Sequence, residues 1–230
     1  MTRLLLYIKH RLPFVWRWIE WLNGLLFYWL EYKSMIGHAR QSTAEYTLDG
    51  FGFRLVEKSD LTLLHDLLQR QRSGRLDYFR PHEFDLRSLT KALDNPAFVM
   101  FGVFADRQMV GYFFLRCFWN RRCFVGRLID EPYEKRGIGR VMNQIMYQTA
   151  WRSGFRIFTT VSTENTLVMR SHANNPTARV RKRLANNFLL VEFVPDEKIA
   201  HEDAATSVKA YLAKSDDIES NASPGAGKKA

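Results

Sequence analysis

The stretch Ile129-Asp130-Glu131-Pro132-Tyr133-Glu134-Lys135-Arg136-Gly137-Ile138-Gly139-Arg140 decides the fold of this 230-residue chain. An apolar, strand-like run over 123–129 leads into it, and a run with apolar residues at spacings of three and four leads out over 141–150. A strand that ends in a glycine-containing turn and opens a helix presents unpaired backbone N–H groups at the positive end of the helix dipole. The stretch therefore predicts an anion-binding turn suited to phosphate.

The residues of this turn favour close approach by a ligand. Gly137 and Gly139 have no side chain to obstruct it, and Arg136 and Arg140 add positive charge. The turn is not a Walker loop, because no Gly-Lys-Ser/Thr follows, and it lacks the third glycine of a dinucleotide fingerprint, because position 142 is Met. An ordinary helix start that contains two glycines is the alternative interpretation.

The turn resembles the signature Arg/Gln-x-x-Gly-x-Gly/Ala of the GNAT acetyltransferase superfamily, which binds the pyrophosphate of acetyl-CoA. Tyr133 also matches a frequent aromatic residue four positions before the first glycine. The chain departs from the pattern at Glu134, where the family usually has Arg or Gln, and at Lys135, which is often Gly. The resemblance implies acetyl-CoA as the acyl donor. The residues that match the signature, and that it implies as cofactor-binding, are Arg136, Gly137, Ile138, Gly139 and Arg140.

The order of the predicted elements extends this resemblance over about 51–194. The sequence predicts a strand over 51–56, two helices over 61–68 and 84–93, a three-stranded meander over 98–129, a helix over 140–152, a strand over 155–161, a short helix over 166–172 and final strands within 184–194. This order is the layout of the GNAT fold, a mixed, mostly antiparallel sheet flanked by helices. We therefore expect an α/β, GNAT-like acyltransferase domain over 51–196.

The resemblance also implies where the donor binds. In this superfamily, backbone groups of the strand before the loop pair with the pantetheine arm, which here means about Leu128 and Ile129. An Asn that begins the helix after the next strand often contacts the cofactor, and Asn165 stands at that position.

The implied catalytic groups are less regular. A Tyr that protonates the departing thiolate usually stands seven residues after this Asn, and the chain has His172 there, whose imidazole can take the same role. Glu164, Asp130 and Glu131 are candidates for a carboxylate that takes or orients the amine proton. For each of these residues an ordinary place in a helix or a solvated loop is the alternative. No metal site is predicted.

The composition indicates an anionic partner. The formal net charge is +10 and the isoelectric point is about 9.7, which suits a nucleotide cofactor, a membrane surface or nucleic acid. A basic run over 179–183 and Arg170 are compatible with nucleic acid, but no nucleic-acid-binding motif accompanies them. We expect a solvated surface there, or a neighbour of the 3′-phosphate of CoA.

The two cysteines are too few for a disulfide framework. Cys117 and Cys123 are expected to face each other across a hairpin as reduced thiols, which fits a reducing, cytoplasmic setting.

Residues 1–36 predict an amphipathic helix rich in aromatic residues. Arg17, Glu20, Asn23 and Glu31 recur at helical spacing and form one narrow polar face. A helix that spans the membrane would bury Arg17 and Glu20, and the insertion of each would cost about 2.5–3.5 kcal/mol. Trp and Tyr with basic neighbours favour the headgroup layer of an anionic membrane, and thus a peripheral membrane protein. A helix packed on the domain or on a second subunit, a true span and a signal peptide are the alternatives.

The remaining segments are polar. Residues 37–50 are predicted to be a linker, and residues 197–230 a largely disordered tail.

The sequence thus predicts an acyl-CoA-dependent N-acyltransferase that uses acetyl-CoA to acylate an unidentified amine. Location at the cytoplasmic face of a membrane would favour an amine on an envelope-glycan or lipid-linked precursor. The alternative from another class is a non-catalytic, GNAT-like module that binds CoA or a partner and docks through its N-terminal helix. A basic nucleic-acid-binding protein is the third interpretation.

Overall fold

The computed structural model describes residues 13–72 (13–17 as backbone), 74–77, 79, 81–199 and 202–213. The chain divides into two compact units, Met1–Ile157 and Phe158–Ala230. The helices of the first unit are α1 (Pro13–Leu30), α2 (Tyr32–Glu45), α3 (Leu61–Gln69), α4 (Leu86–Leu93) and α5 (Ile138–Arg152). Its strands are β1 (Gly52–Leu55), β2 (Phe98–Ala105), β3 (Gln108–Phe118) and β4 (Arg122–Ile129). The strand β5 (Arg156–Ser162) crosses the boundary, and the second unit continues with α6 (Thr166–Ala173), β6 (Ala178–Arg183), β7 (Phe188–Phe193) and α7 (Asp196–Ile199).

The strands β1 to β4 lie side by side and antiparallel in chain order, and β2 to β4 form a three-stranded meander. Two residues, Asp106 and Arg107, separate β2 from β3, and Asp106 takes the left-handed φ of 52° that such a short turn requires. Cys117 stands opposite Cys123 in the next hairpin, and both are buried free thiols. The predicted meander and the predicted facing of the two cysteines are therefore confirmed.

Helices cover both faces of this meander. Alternate residues of β3 point to opposite sides, and neighbouring residues contact different helices. Tyr112 points into a core cluster with α3 and α4. Its neighbour Gly111 faces α5, since a Cβ there would lie 2.6 Å from the Cε of Met142. The core cluster comprises Val56, Leu61, Leu64, Leu67, Leu68, Leu89, Phe98, Met100, Met109, Tyr112, Phe114 and Leu128.

The helix α1 turns its polar face toward the domain and its aromatic face outward. Glu20 Oε1 accepts a hydrogen bond from Arg116 at 2.6 Å, and the Asn23 amide pairs with the Cys117 carbonyl and the Trp119 N–H, each at 3.1 Å. Phe27 is fully buried on the same face. On the opposite face the large apolar side chains are exposed, 66% for Trp18 and 76% for Trp29. This arrangement inverts the usual amphipathic helix, whose apolar face packs on the core.

None of the described helices combines the length and apolarity needed to cross a bilayer.

The prediction of a linker over 37–50 is wrong for residues 37–45, because they belong to α2. This helix packs on α5 through small residues, with Ala39 and Ser42 buried. At its end, Glu45 pairs with Arg152 at 2.7 Å. Small side chains allow close helix packing but add little hydrophobicity, so the segment resembled a linker. The compact unit therefore includes the described part of the N-terminal segment that we expected outside the domain.

The second unit refines two further predictions. Residues 178–183 form the strand β6, antiparallel to β7, and positions 181–183 are exposed, as expected for the basic run. Arg179 is buried and donates to the Pro176 carbonyl at 2.6 Å, and Arg181 pairs with Glu192 and Glu202. The predicted disordered tail is ordered in part, because Val208 is buried. Its portion from position 214 onward lies outside the described residues.

Candidate functional site

The turn before α5 has the backbone geometry of an anion-binding helix start. Gly137 occupies the N-cap position with a left-handed φ of +88°, a conformation that glycine adopts without strain. No side chain accepts a hydrogen bond at this cap. The first N–H groups of a helix have no carbonyl four residues earlier to bond. With no capping side chain, the N–H groups of Ile138 and Gly139 are suited to an external anion.

Gly139 is packed closely against the strand β4. A Cβ at this position would lie 3.0 Å from Nη1 of Arg127 and 3.3 Å from Cδ1 of Ile129. Even a Cβ would push that guanidinium or the Ile129 side chain away by a few tenths of an ångström. The two glycines therefore serve different needs: Gly137 provides the turn, and Gly139 lets the helix lie close to the strand.

Arg127 joins β4 to the first turns of α5. Its Nη1 donates to the Gly139 carbonyl, and to Oδ1 of Asn143 at 2.8 Å. Burial lowers the pKa of the Arg127 guanidinium from its ordinary value. An arginine nevertheless stays protonated in proteins, so a positive charge is held beside the start of the helix.

The electrostatics of this helix start favour an anionic ligand. The first turn of α5 contains no acidic residue, although acidic residues are stabilising at helix N-termini. Instead Arg127, Arg136 and Arg140 stand near the positive end of the dipole. The Arg136 guanidinium lies 5.1 Å from the centre of the Tyr133 ring, which holds it at the rim of the turn. These cations and the positive end of the helix dipole repel each other, and a bound phosphate would compensate the charge of the arginines and of the dipole.

The backbone polar groups of Ile129, and not those of Leu128, point away from β3. The Asp130 N–H donates to the Val110 carbonyl at 2.9 Å, so Asp130 and Val110 form a hydrogen-bonded pair of the antiparallel ladder. Such pairs alternate along a ladder, so Leu128 bonds to β3 and Ile129 points away from it. Of the two residues predicted to meet pantetheine, Ile129 is the one whose backbone groups are not bonded to β3, and its contact with pantetheine stays a prediction.

The carboxylates next to the loop are engaged by side chains that follow α3. Asp130 is buried and accepts from Arg70 Nε at 2.7 Å and from Gln71 Nε2 at 2.9 Å. Glu131 pairs with Arg72 at 3.0 Å. Both oxygens of Asp130 thus accept hydrogen bonds, and these join the segment before the loop to the end of α3.

The two residues that depart from the family pattern also have distinct environments. Glu134 Oε1 accepts from Arg75 Nη2 at 2.7 Å, and the same nitrogen lies 2.9 Å from the Ile129 carbonyl. Lys135 adopts a left-handed φ of 60°. Such a φ is strained for Lys and free for Gly, which agrees with the glycine that the family often has there.

In the second unit, Asn165 and Glu164 stand where β5 turns into α6. Asn165 Oδ1 accepts from the Val168 N–H at 3.2 Å and caps the helix. Glu164 is exposed and its Oε1 accepts from Asn187 Nδ2 at 3.1 Å. The predicted position of Asn165 at a helix start is confirmed, while contact with a cofactor stays a prediction.

His172 lies in the last turn of α6, as predicted. Its ring is half-buried and meets the Phe193 ring edge to face, with centroids 5.3 Å apart. The imidazole therefore packs against the Phe193 ring. Its catalytic role stays a prediction.

Arg75 and Arg127 are site residues that we did not predict. Arg127 could have been found as a charged residue within an otherwise apolar strand. Arg75 gave no such signal, because its partner Glu134 is 59 positions away and charged loop residues are ordinarily solvated.

No protein-family model matches the sequence, and no curated protein matches it significantly. Several solved structures, in contrast, match its fold. An N-acetyltransferase of the PaiA type from Thermoplasma acidophilum, crystallised with coenzyme A, matches with a TM-score of 0.53 at 14% identity, over 63% of this chain and 99% of that one. A ribosomal-protein-S5-alanine acetyltransferase from Vibrio fischeri matches with a TM-score of 0.50 at 16% identity, over 66% and 97%. RimL, a ribosomal L7/L12 α-N-protein acetyltransferase, matches with a TM-score of 0.50 at 15% identity, over 63% and 88%.

At these identities the likeness concerns the fold. The predicted fold class is confirmed: this chain has the mixed, mostly antiparallel α/β fold of the GNAT N-acetyltransferases, preceded by the helices α1 and α2.

Proposed function

We propose that this protein is an N-acyltransferase that moves the acetyl group of acetyl-CoA to an amine. The observation that carries the proposal is the start of α5. There, an uncapped helix N-terminus with a left-handed Gly137 is surrounded by arginines, in the fold of known N-acetyltransferases. A diphosphate has the charge and the acceptor oxygens for such a site. The Thermoplasma structure, which was solved with coenzyme A, supports the same donor here.

The reaction needs little from the protein beyond alignment. The amine nitrogen forms a bond to the thioester carbonyl carbon, the C–S bond breaks, and CoA leaves as a thiolate. We assign protonation of that sulfur to His172, which stands where the family usually has Tyr. We assign acceptance of the amine proton to Glu164, directly or through a water molecule. The backbone of Ile129, which points away from β3, is suited to pair with the pantetheine amide.

For the acceptor, we propose an amine carried by a lipid-linked or envelope-glycan precursor at the cytoplasmic face of a membrane. The support is the outward face of α1, where the exposed large apolar residues are Trp18, Ile19, Trp21, Leu22, Leu25, Tyr28, Trp29 and Leu30. Tryptophan-rich apolar faces bind at the headgroup boundary of a bilayer. The net charge of +10 adds attraction to anionic lipids. An enzyme held on a membrane meets acceptors that are held there too.

Turnover with a panel of amines tests this function. The full chain is mixed with acetyl-CoA and polyamines, N-terminal peptides, amino sugars or amino-lipids in vesicles, and released thiol is measured. We expect release that depends on an amine, with the amino-lipid or amino-sugar class preferred. Release with polyamines or peptides alone would contradict the acceptor proposal. CoA binding without release with any amine would favour the non-catalytic CoA-binding module.

A further inference from the structure

The loop after α3 is joined to the segment before the phosphate loop by three ion pairs. Arg70, Arg72 and Arg75 meet acidic partners in the same order along the chain. Those partners are Asp130, Glu131 and Glu134. Two chain segments about sixty positions apart are thus matched charge for charge.

The three pairs differ in strength because they differ in exposure. Arg70 and Asp130 are largely buried, which makes their pair a structural anchor. The Arg72 side chain is 78% exposed, so its pair with Glu131 is screened by water. The pair of Arg75 with Glu134 is intermediate, at 26% and 33% exposure. Its guanidinium also donates to the Ile129 carbonyl, so it ties the last residue of β4 to Glu134.

Glu134 is an unexpected residue at this place. It stands three positions before Gly137, and a carboxylate there opposes the binding of a phosphate at the start of α5. Proteins that match the loop signature usually have Arg or Gln at this position. If CoA binds to this turn, the charge of Glu134 must be compensated from elsewhere. Arg75 is the cation whose nitrogen lies 2.7 Å from that carboxylate.

We propose that Arg75 is a positioning residue that neutralises Glu134 and fixes the turn from Ile129 to Glu134, so that this phosphate loop binds CoA despite its acidic residue. The inference rests on the proposed function. The cation that other loops carry within the signature is supplied here by a different segment of the chain. The phosphate site is therefore coupled to the loop after α3.

Calorimetric titration with CoA of four variants and the wild type tests this. Arg75→Ala should weaken binding roughly tenfold, because Glu134 is left uncompensated beside the phosphates. Glu134→Gln should bind within about threefold of wild type, since the anion and the need for a partner are removed together. The double variant Arg75→Ala/Glu134→Gln should recover most of the affinity. Arg72→Ala, a matched loss of an exposed pair in the same segment, should stay within about twofold.

Steady-state turnover adds a measurement that a loss of folding would not mimic. Arg75→Ala should raise the KM for acetyl-CoA and leave kcat nearly unchanged, and the double variant should return KM toward the wild-type value.

Two results would overturn the inference and leave the proposed function intact. One is that Arg75→Ala binds CoA as tightly as the wild type. The other is that the double variant binds CoA as weakly as Arg75→Ala alone. Failure of the wild type and of Arg72→Ala to bind CoA refutes the proposed function, and the inference with it.

Discussion

Nη1 of Arg127 lies 3.0 Å from the position that a Cβ on Gly139 would occupy, and the same nitrogen donates to the Gly139 carbonyl. The strand β4 and the first turn of α5 are therefore in direct contact at the candidate phosphate site. The guanidinium occupies the space of the missing side chain and brings a positive charge to the helix start. This contact links the absence of a side chain at 139 with the electrostatics of the site.

Gly139→Val should abolish CoA binding. The branched side chain would displace Arg127 and cover the N–H groups at the start of α5. We expect a loss of more than about 100-fold in affinity and about 1–3 kcal/mol in the free energy of unfolding, the usual cost of overpacking. Calorimetry and urea denaturation measure the two effects.

Gly37→Ala is the matched control for this substitution. Gly37 lies in α2 with nothing within 4 Å of an added Cβ, so alanine should stabilise the helix by roughly 0.5–1 kcal/mol and leave CoA binding unchanged. Undiminished affinity in Gly139→Val would remove the assignment of the phosphate site.

His172→Ala should lower kcat far more than it raises the KM for acetyl-CoA, because an acid that protonates the thiolate acts in the transition state. Removal of a general acid typically costs about 10²–10⁴-fold in rate. His172→Tyr should keep a good part of the rate, since it restores the group that the family usually has. A fully active alanine variant would limit His172 to its packing against Phe193.

Stability should fall in mild acid because of His82. Its Nδ1 lies 2.8 Å from the Glu83 carbonyl, which can only accept, so this nitrogen carries the proton. Nε2 then accepts from the Tyr112 hydroxyl at 2.9 Å. Burial is the main cause that lowers the pKa of His82 below its ordinary 6.5; nearby Arg116 lowers it further and Glu83 opposes the shift.

The sign of the effect follows from the direction of that shift. Below pH 6.5 the unfolded chain binds the proton more readily than the folded one, so the stability due to neutral His82 is lost as the pH falls through the folded pKa. Urea denaturation at pH 7 and pH 5 should give a smaller loss for His82→Gln than for the wild type. Equal losses in both proteins would exclude His82 as the cause.

Outward tryptophans of α1 should mediate membrane binding. The full chain should sediment with anionic vesicles, less so at high salt because the electrostatic part is screened. The triple substitution of Trp18, Trp21 and Trp29 by Ala should abolish sedimentation and leave the melting temperature almost unchanged, since all three rings are exposed. Leu167→Ala, which removes an equally exposed apolar side chain from α6, is the control.

Deletion of the N-terminal segment is a poorer test of the same idea. It would remove Phe27, Met35 and Ala39 from the core and could unfold the domain. Wild-type protein that ignores anionic vesicles at low salt would contradict the membrane proposal.

The glycine turn before α5 and the meander could be predicted from sequence because their signals are local. The two glycines, the alternating apolar strands and the short turns each lie within a few residues of what they determine. The helix α2 was missed because its contacts with α5 use small residues, such as Ala39 and Ser42, that hydropathy does not mark. The inverted packing of α1 was also hidden, since the same sequence pattern fits a polar face turned to solvent or to a polar protein surface.

The ion pairs of the candidate site could not be predicted from local sequence patterns. Nothing near Glu134 in the sequence indicates Arg75, which comes close only when the loop after α3 folds over the end of β4. The family pattern marked Glu134 as a departure, and the structure supplies its partner.

Calorimetric titration of the full chain with CoA, and with pantetheine as the matched ligand that lacks the diphosphate and the nucleotide, tests the central claim most directly. A site at the start of α5 that binds the diphosphate predicts saturable binding of CoA, weaker at high salt, and affinity for pantetheine lower by at least about 100-fold. Equal affinity for the two ligands, or no binding of CoA, would contradict the assignment of the phosphate loop.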